Sequence, residues 1–385
     1  FLLSVKKQPS SIVTTLSSPA TQRVAKELQK LSAADDLFVF RDGEMRSPML
    51  LLLDRADDPV TPLLSQWTYQ AMVHELLGMN NNRVILRGAP GVKKELEEVV
   101  LSPQADEFFG QHRFSNFGEL AEAIAAMLED FQRESKKNEN IKSIEDMQNF
   151  MERYPEYRSR SHNVSKHVAI MGELGRLVEE CQLMDVSAFE QELACSDDHS
   201  AHIRELYEKL SSPVVKTPDK LRLGLLYALR YETTGQVSSV KNAMASGGVS
   251  PDKIALIDTL LRYAGSAARS PGLYGKRDAL SKFSKSLMTT VQGVSNVYSQ
   301  HVPLMMETIK SAFKGTLSGD VFANASGGGA KPKDLFVYVV GGVTYEEARA
   351  VADFNKENAA NGLSVVLGGS TVHNSTSFLE ELRGL

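Results

Sequence analysis

The chain has 385 residues, 42% apolar and 24% charged, with a formal net charge of −5 and two cysteines. That is enough for two domains, with the ordinary balance of a globular protein and no basic footprint for nucleic acid. Cys181 and Cys195 are too few for a disulfide framework, which points to a reducing setting, and no apolar run approaches the ~20 residues of a membrane span. The chain opens at Phe1 on an apolar segment that is not a signal peptide, and it reads as part of something longer. Three Asn-x-Ser/Thr sites, at Asn163, Asn324 and Asn374, would matter only in a secreted protein.

In chain order, residues 1–53 read as α/β. Ile12–Leu16 is a β-branched run, and Thr21–Leu31 is an amphipathic helix with Val24, Leu28 and Leu31 inward. Leu37–Phe40 and Met49–Leu53 are continuous apolar runs suited to buried parallel strands. Pro59 and Pro62 stop the second of these, and a helix is expected over Gln66–Leu77. From Gly78 to Asn324 helices are expected almost throughout, among them Leu221–Tyr231, a helix opened by Ser250-Pro251 that buries Ile254, Ile257, Leu260 and Leu261, and Pro303–Phe313. Ala323–Lys333 reads as a linker. Strands follow at Leu335–Val340 and Leu363–Leu367, each ending in Gly–Gly, with Thr344 capping a helix through Glu347 and a last helix near Phe378.

The economical arrangement is α/β: a parallel sheet domain flanked by helices, built from residues 1–57 and 332–385. A mainly helical insertion over 58–331 interrupts it and carries a projecting hairpin over 113–181. In the hairpin's first arm Phe114, Phe117, Leu120, Ile124, Met127, Leu128 and Phe131 recur at spacings of three and four, a single apolar stripe. Asn116 and Glu119 have the spacing of a capping box. After a polar tip the second arm opens at Ser143 and places Met147, Phe150, Met151 and Tyr154 on one face, then Val164, Val168, Met171, Leu174, Leu177, Val178 and Cys181. Pro155 interrupts it, since proline inside a helix removes a hydrogen bond and clashes with the preceding turn at a cost of about 3 kcal/mol. It either starts a new helix at the first position or bends a continuous one at a hinge; the residues alone allow both.

Three groups of residues invite chemistry. Asp54, Asp57 and Asp58 follow a parallel strand, where open α/β sheets bind ligands, and could hold Mg²⁺ for a phosphotransferase or nucleotide hydrolase; no phosphate-binding loop accompanies them. Cys195, Asp197, Asp198, His199 and His202 are metal-ligand types without the second pair a zinc site needs, and an aspartate cap on a helix accounts for the cluster. The Gly–Gly turns match no dinucleotide fingerprint and suit tight strand-to-helix turns. No serine stands in a Gly-x-Ser-x-Gly setting. No catalytic residue, metal or cofactor is called for.

Several stretches together resemble one family. Leu50-Leu51-Leu52-Leu53-Asp54-Arg55-Ala56-Asp57-Asp58-Pro59-Val60-Thr61-Pro62-Leu63, running on through Gln66-Trp67-Thr68-Tyr69-Gln70-Ala71-Met72-Val73-His74-Glu75-Leu76-Leu77, is similar to the signature strand and loop of the SM proteins, the syntaxin-binding partners of SNAREs in vesicle fusion. Tyr154-Pro155-Glu156-Tyr157, Glu190–Ala194 and Val340–Ala348 fall in the same order, and Leu367–Asn374 resembles the vacuolar-protein-sorting branch, which serves trans-Golgi and endosomal syntaxins. The resemblance implies the second and third domains of a three-domain arch, without the N-terminal domain that grips syntaxin. It implies a SNARE-binding template rather than an enzyme, with syntaxin-type and vesicle SNARE helices as partners. The protein would be cytoplasmic and monomeric, reaching trans-Golgi and endosomal membranes through those partners. Its docking residues would be Leu128, Phe131, Met147, Met151, Tyr157, Val164 and Val168, with Pro155 as the hinge; Ser161 stands where relatives have a hydrophobic residue.

Overall fold

A computed structural model describes residues 1–34, 48–139, 144–274, 297–324 and 331–385. The apolar runs form a five-stranded sheet of β1 (Ser11–Thr15), β2 (Met49–Asp54), β3 (Phe322–Ala323), β4 (Asp334–Val340) and β5 (Ser364–Gly369), in the order β3-β1-β2-β4-β5. β1, β2, β4 and β5 are parallel, with Leu50 opposite Phe336 and Leu335 opposite Val365. The central β2 buries Leu50, Leu51, Leu52 and Leu53, as a strand covered on both faces must. The edge is a departure from expectation: Ala323, read as the start of a linker, and Phe322 before it pair antiparallel with Thr14 and Thr15.

On one face lies the helix Pro19–Ala34, rotated from its expected setting. Thr21 and Ala25 are buried and Leu28 packs against the core, while Val24 is 37% and Leu31 55% exposed. The expected run Leu37–Phe40 lies outside the described residues. On the other face Met305–Lys314 and Tyr345–Asn358 stack Phe313 on Phe354, with ring centroids 5.4 Å apart. Thr344 and Glu347 form the expected capping box.

The chain divides into two compact units, residues 1–64 with 185–385, and residues 65–184. The helices from Leu183–Cys195 onward, placed by sequence with the hairpin in the 58–331 insertion, fall with the sheet. The terminal helix Ser375–Arg383 shares one core with them through Phe378 and Leu382. As expected, Asp198 caps a helix, accepting from the Ala201 N–H at 3.0 Å. His199 and His202 are held by Tyr227 and Tyr231 hydroxyls at 2.8 and 2.7 Å.

Within residues 65–184 the helix at Tyr69–Met72 widens to π geometry over Val73–Leu77. An antiparallel pair of strands follows, Arg83–Ile85 with Glu98–Val100, where helix was expected; three residues a side are too short for a period-2 signal. The body of this unit is tied to the second arm by a buried polar knot. Asp106 caps Glu107–His112 by accepting from Phe109 N–H at 3.0 Å. It also pairs with Lys166 Nζ and meets His167 Nε2 at 3.0 Å. His167 Nδ1 in turn lies 2.8 Å from the Tyr69 hydroxyl. Burial opposes the charge on Asp106, but hydrogen bonds from His167, Lys166 and Phe109 hold its carboxyl well below the usual range.

Gly342 has φ of +91°, and a Cβ there would lie 2.5 Å from the His373 ring; Gly342→Ala should cost about 2 kcal/mol or more in denaturant unfolding. Asp106→Ala strands a buried lysine and should cost about 3–5 kcal/mol. Because the folded carboxyl titrates below its unfolded value of about 3.9, its contribution is full above that pH and lost as pH falls further. The acid limb of a stability-versus-pH curve should therefore flatten in Asp106→Asn.

Candidate docking face of the hairpin

The first arm is one helix, Phe117–Glu139, and the second runs unbroken from Ile144 to Glu180. At 1.5 Å per residue they are about 35 and 55 Å long. Asn116 and Glu119 make the expected reciprocal cap, with bonds of 3.0 and 2.9 Å. Pro155 sits inside the second helix rather than ending it. The plain helix end is thereby excluded: with no N–H at Pro155 the Met151 carbonyl loses its helical donor, and the surrounding turns hold the helix through the defect. Ser143, the expected opening of this arm, lies outside the described residues.

The arms are antiparallel and meet along a line through Leu120, Ile124 and Phe131 on one side and Tyr157 and Val164 on the other. Leu120, Ile124, Val164 and Leu174 are buried. Phe131 stacks on Tyr157 with centroids 5.3 Å apart, and the Tyr157 hydroxyl lies 2.9 Å from Ser135 Oγ. Arg160 donates to Glu134 at 2.7 Å.

Geometry then decides which face stays open. Leu128 is four residues beyond Ile124, and Val168 four beyond Val164, so each is turned about 40° from the contact line in the same sense. On two antiparallel right-handed helices equal turns emerge on the same face. Leu128 is 36% and Val168 39% exposed. Around them Gly118, Ala121, Ala125 and Gly172 are exposed. Toward the base the opposite face is closed, with His167, Ile170 and Leu174 buried, and farther out the half-exposed Glu134–Arg160 pair bridges the arms there. The open face is thus shallow, apolar and lined by small side chains, a form that admits another helix.

Of the docking positions offered by the sequence, Leu128, Met151 and Val168 are exposed, with Met151 at 65%. Phe131 and Tyr157 are engaged with each other, and Val164, 4% exposed, lies between the arms. Met147 is on the helix, at a position whose side chain lies outside the described residues. The small residues on this face add nothing to an apolar stripe and so leave little trace in the hydrophobic periodicity. Their recurrence at 118, 121 and 125 was the available signal.

The acidic corner is built otherwise. It borders a cleft of about 240 Å³ at the carboxyl ends of β2 and β4, yet its oxygens hold the chain together. Asp54 accepts from Ser18 and from Ala56 N–H. Asp57 accepts from Ser270 N–H at 2.7 Å. Asp58 accepts from Thr61 and from Leu304 N–H. Burial raises Asp57; it would raise Asp58 too, but His301, Arg55 and the hydrogen bonds bring that carboxyl down to about 2. Arg55 is buried against Glu347, whose carboxyl is raised by burial in spite of that cation. Among the described residues no group of three His, Cys, Asp or Glu side chains could hold a metal ion, and no helix is long and apolar enough to cross a membrane.

Known proteins share this whole architecture. Vacuolar protein sorting-associated protein 45 of Homo sapiens is 43% identical over 387 residues, covering 99% of this chain and 67% of the relative. The protein of that name from Saccharomyces cerevisiae is 32% identical over 99% of this chain and 69% of its own. The solved SM protein Vps45 in complex with the Qa SNARE Tlg2 superposes with a TM-score of 0.88 at 39% identity, covering 100% of this chain and 68% of that one. The Unc18 of the Unc18–syntaxin 1 complex from Monosiga brevicollis, 20% identical with a TM-score of 0.75, shares the fold. The Sec1 family pattern spans residues 1–381, which takes in the whole of the sheet and hairpin described above, and the chain belongs to the Sec1 family.

Proposed function

We propose that this protein binds SNAREs and acts as a template for their assembly in endosomal and trans-Golgi transport, with the open face of the hairpin as a docking surface. The observation that carries the reading is that face itself, an apolar seam left uncovered on a pair of helices whose other side is buried toward the base. A related protein, Vps45, is solved with the Qa SNARE Tlg2, which supports a syntaxin-type partner. An unpaired SNARE segment must lose conformational entropy to pair in register. A preformed groove that accepts its apolar positions at i, i+3, i+4 and i+7 lowers that barrier. The protein acts at the cytoplasmic side of the membrane and is held there by its partners. In the rival reading Asp54, Asp57 and Asp58 hold Mg²⁺ for phosphoryl transfer, but their oxygens are committed to Ser18, Ser270, Thr61 and backbone N–H groups.

Pro155 enters as a hinge. With one hydrogen bond missing, the distal stretch from Ile144 to Tyr154 is the weakest part of the second arm, and a partner that prefers one arm conformation shifts the population. Leu128→Arg and Val168→Arg should each weaken vesicle-SNARE capture in a pull-down roughly tenfold, the scale of one buried anchor, with the circular dichroism spectrum unchanged. Normal capture by both variants would remove the open face from the mechanism. Pro155→Ala, which restores the missing hydrogen bond, should stiffen the extended arm and speed SNARE-dependent liposome fusion; unchanged or slower fusion would count against the hinge.

A further inference from the structure

We infer that the open face selects its partner by charge as well as by apolar pattern: Glu122 and Glu129 form an acidic flank that fits a helix carrying lysine or arginine at seven-residue spacing beside its apolar seam. The inference rests on the docking reading above and adds the chemistry and orientation of the occupant.

Both glutamates are exposed, and neither makes an ion pair among the described residues. Asp130 pairs with Arg133, Glu134 with Arg160, and Glu173 and Glu180 with Arg176, while Glu119 is taken up in the cap with Asn116. Seven residues apart, Glu122 and Glu129 align along the helix axis with a separation of about 10.5 Å, the repeat at which flanking charges recur in a coiled coil. They stand just outside Ala121 and Ala125, whose small side chains allow a partner backbone to come near. Across the groove the exposed rim residue Arg158 has the opposite sign. A helix with a basic flank is therefore favoured in one setting, basic side against the first arm, and opposed in the other. The surrounding field has the same sign, since residues 65–184 hold 14 Lys and Arg against 19 Asp and Glu and so carry all of the chain's net charge of −5. Such a field speeds the encounter with a cationic partner.

The test uses two synthetic amphipathic helices with identical leucine–isoleucine seams, one with lysines and the other with glutamates at heptad spacing on one flank. Binding to the whole chain is read by fluorescence anisotropy. The lysine peptide should bind roughly fivefold tighter at low salt, with the preference fading toward parity near ~0.5 M salt. Glu122→Lys/Glu129→Lys should reverse the order, while Glu208→Lys, an exposed acid on another helix, should leave it unchanged. Equal low-salt affinities, or an order unaltered in the double variant, would overturn the acidic flank and leave the docking face standing. Binding of neither peptide would overturn both.

Discussion

The docking role proposed for the hairpin requires a fixed foot, and one buried carboxylate fixes it. Asp106 caps a short helix, neutralises Lys166 and orients His167, which reaches Tyr69. Burying a lysine and an aspartate is costly, and their attraction offsets the cost only when the remaining bonds are made. Here they are, with Lys166 also donating to the Val100 carbonyl at 3.5 Å. Apolar packing alone would let the second arm roll about its axis. A directional network permits one rotation, and that rotation leaves Val168 in solvent while Val164, one turn earlier, is covered.

The grip weakens with distance from the foot. Near the base the arms share buried leucines and isoleucines; farther out they are joined by the Phe131–Tyr157 stack and the Glu134–Arg160 bridge, and just beyond lies Pro155. Rigidity near the knot and a missing hydrogen bond near the tip give one element two mechanical regimes. In the proposed template role the first would hold register and the second would admit and release a partner.

In the α/β unit the same kind of chemistry serves the fold. Arg55, Asp58 and Glu347 are buried together where β2 and β4 end, and the Gly341–Gly342 turn passes so close to Arg55 and His373 that no side chain fits. The carboxylates that stand where a ligand would bind in many sheets of this kind are hydrogen-bonded to loops and helix starts. Fold position suggests a site, but the residues' own bonding decides its use.

Much was determined by the sequence alone. Continuous apolar runs marked β2, β4 and β5, since strands buried on both faces have no polar alternation to confuse them. Period-3.6 stripes marked both arms, and Asn116 with Glu119 and Thr344 with Glu347 marked two helix starts, all local effects written within a few residues. Tertiary structure decided what depends on distant partners. It turned Pro19–Ala34 onto Thr21 and Ala25 rather than Val24 and Leu31, and recruited Phe322 to an edge strand. It joined Asp106 to residues sixty positions away. It also separated Val164 from Val168, identical side chains on one stripe, by burying the first and exposing the second. A stripe gives the direction in which a helix is apolar; only the width of the neighbour packed against it determines how much of the stripe remains for someone else.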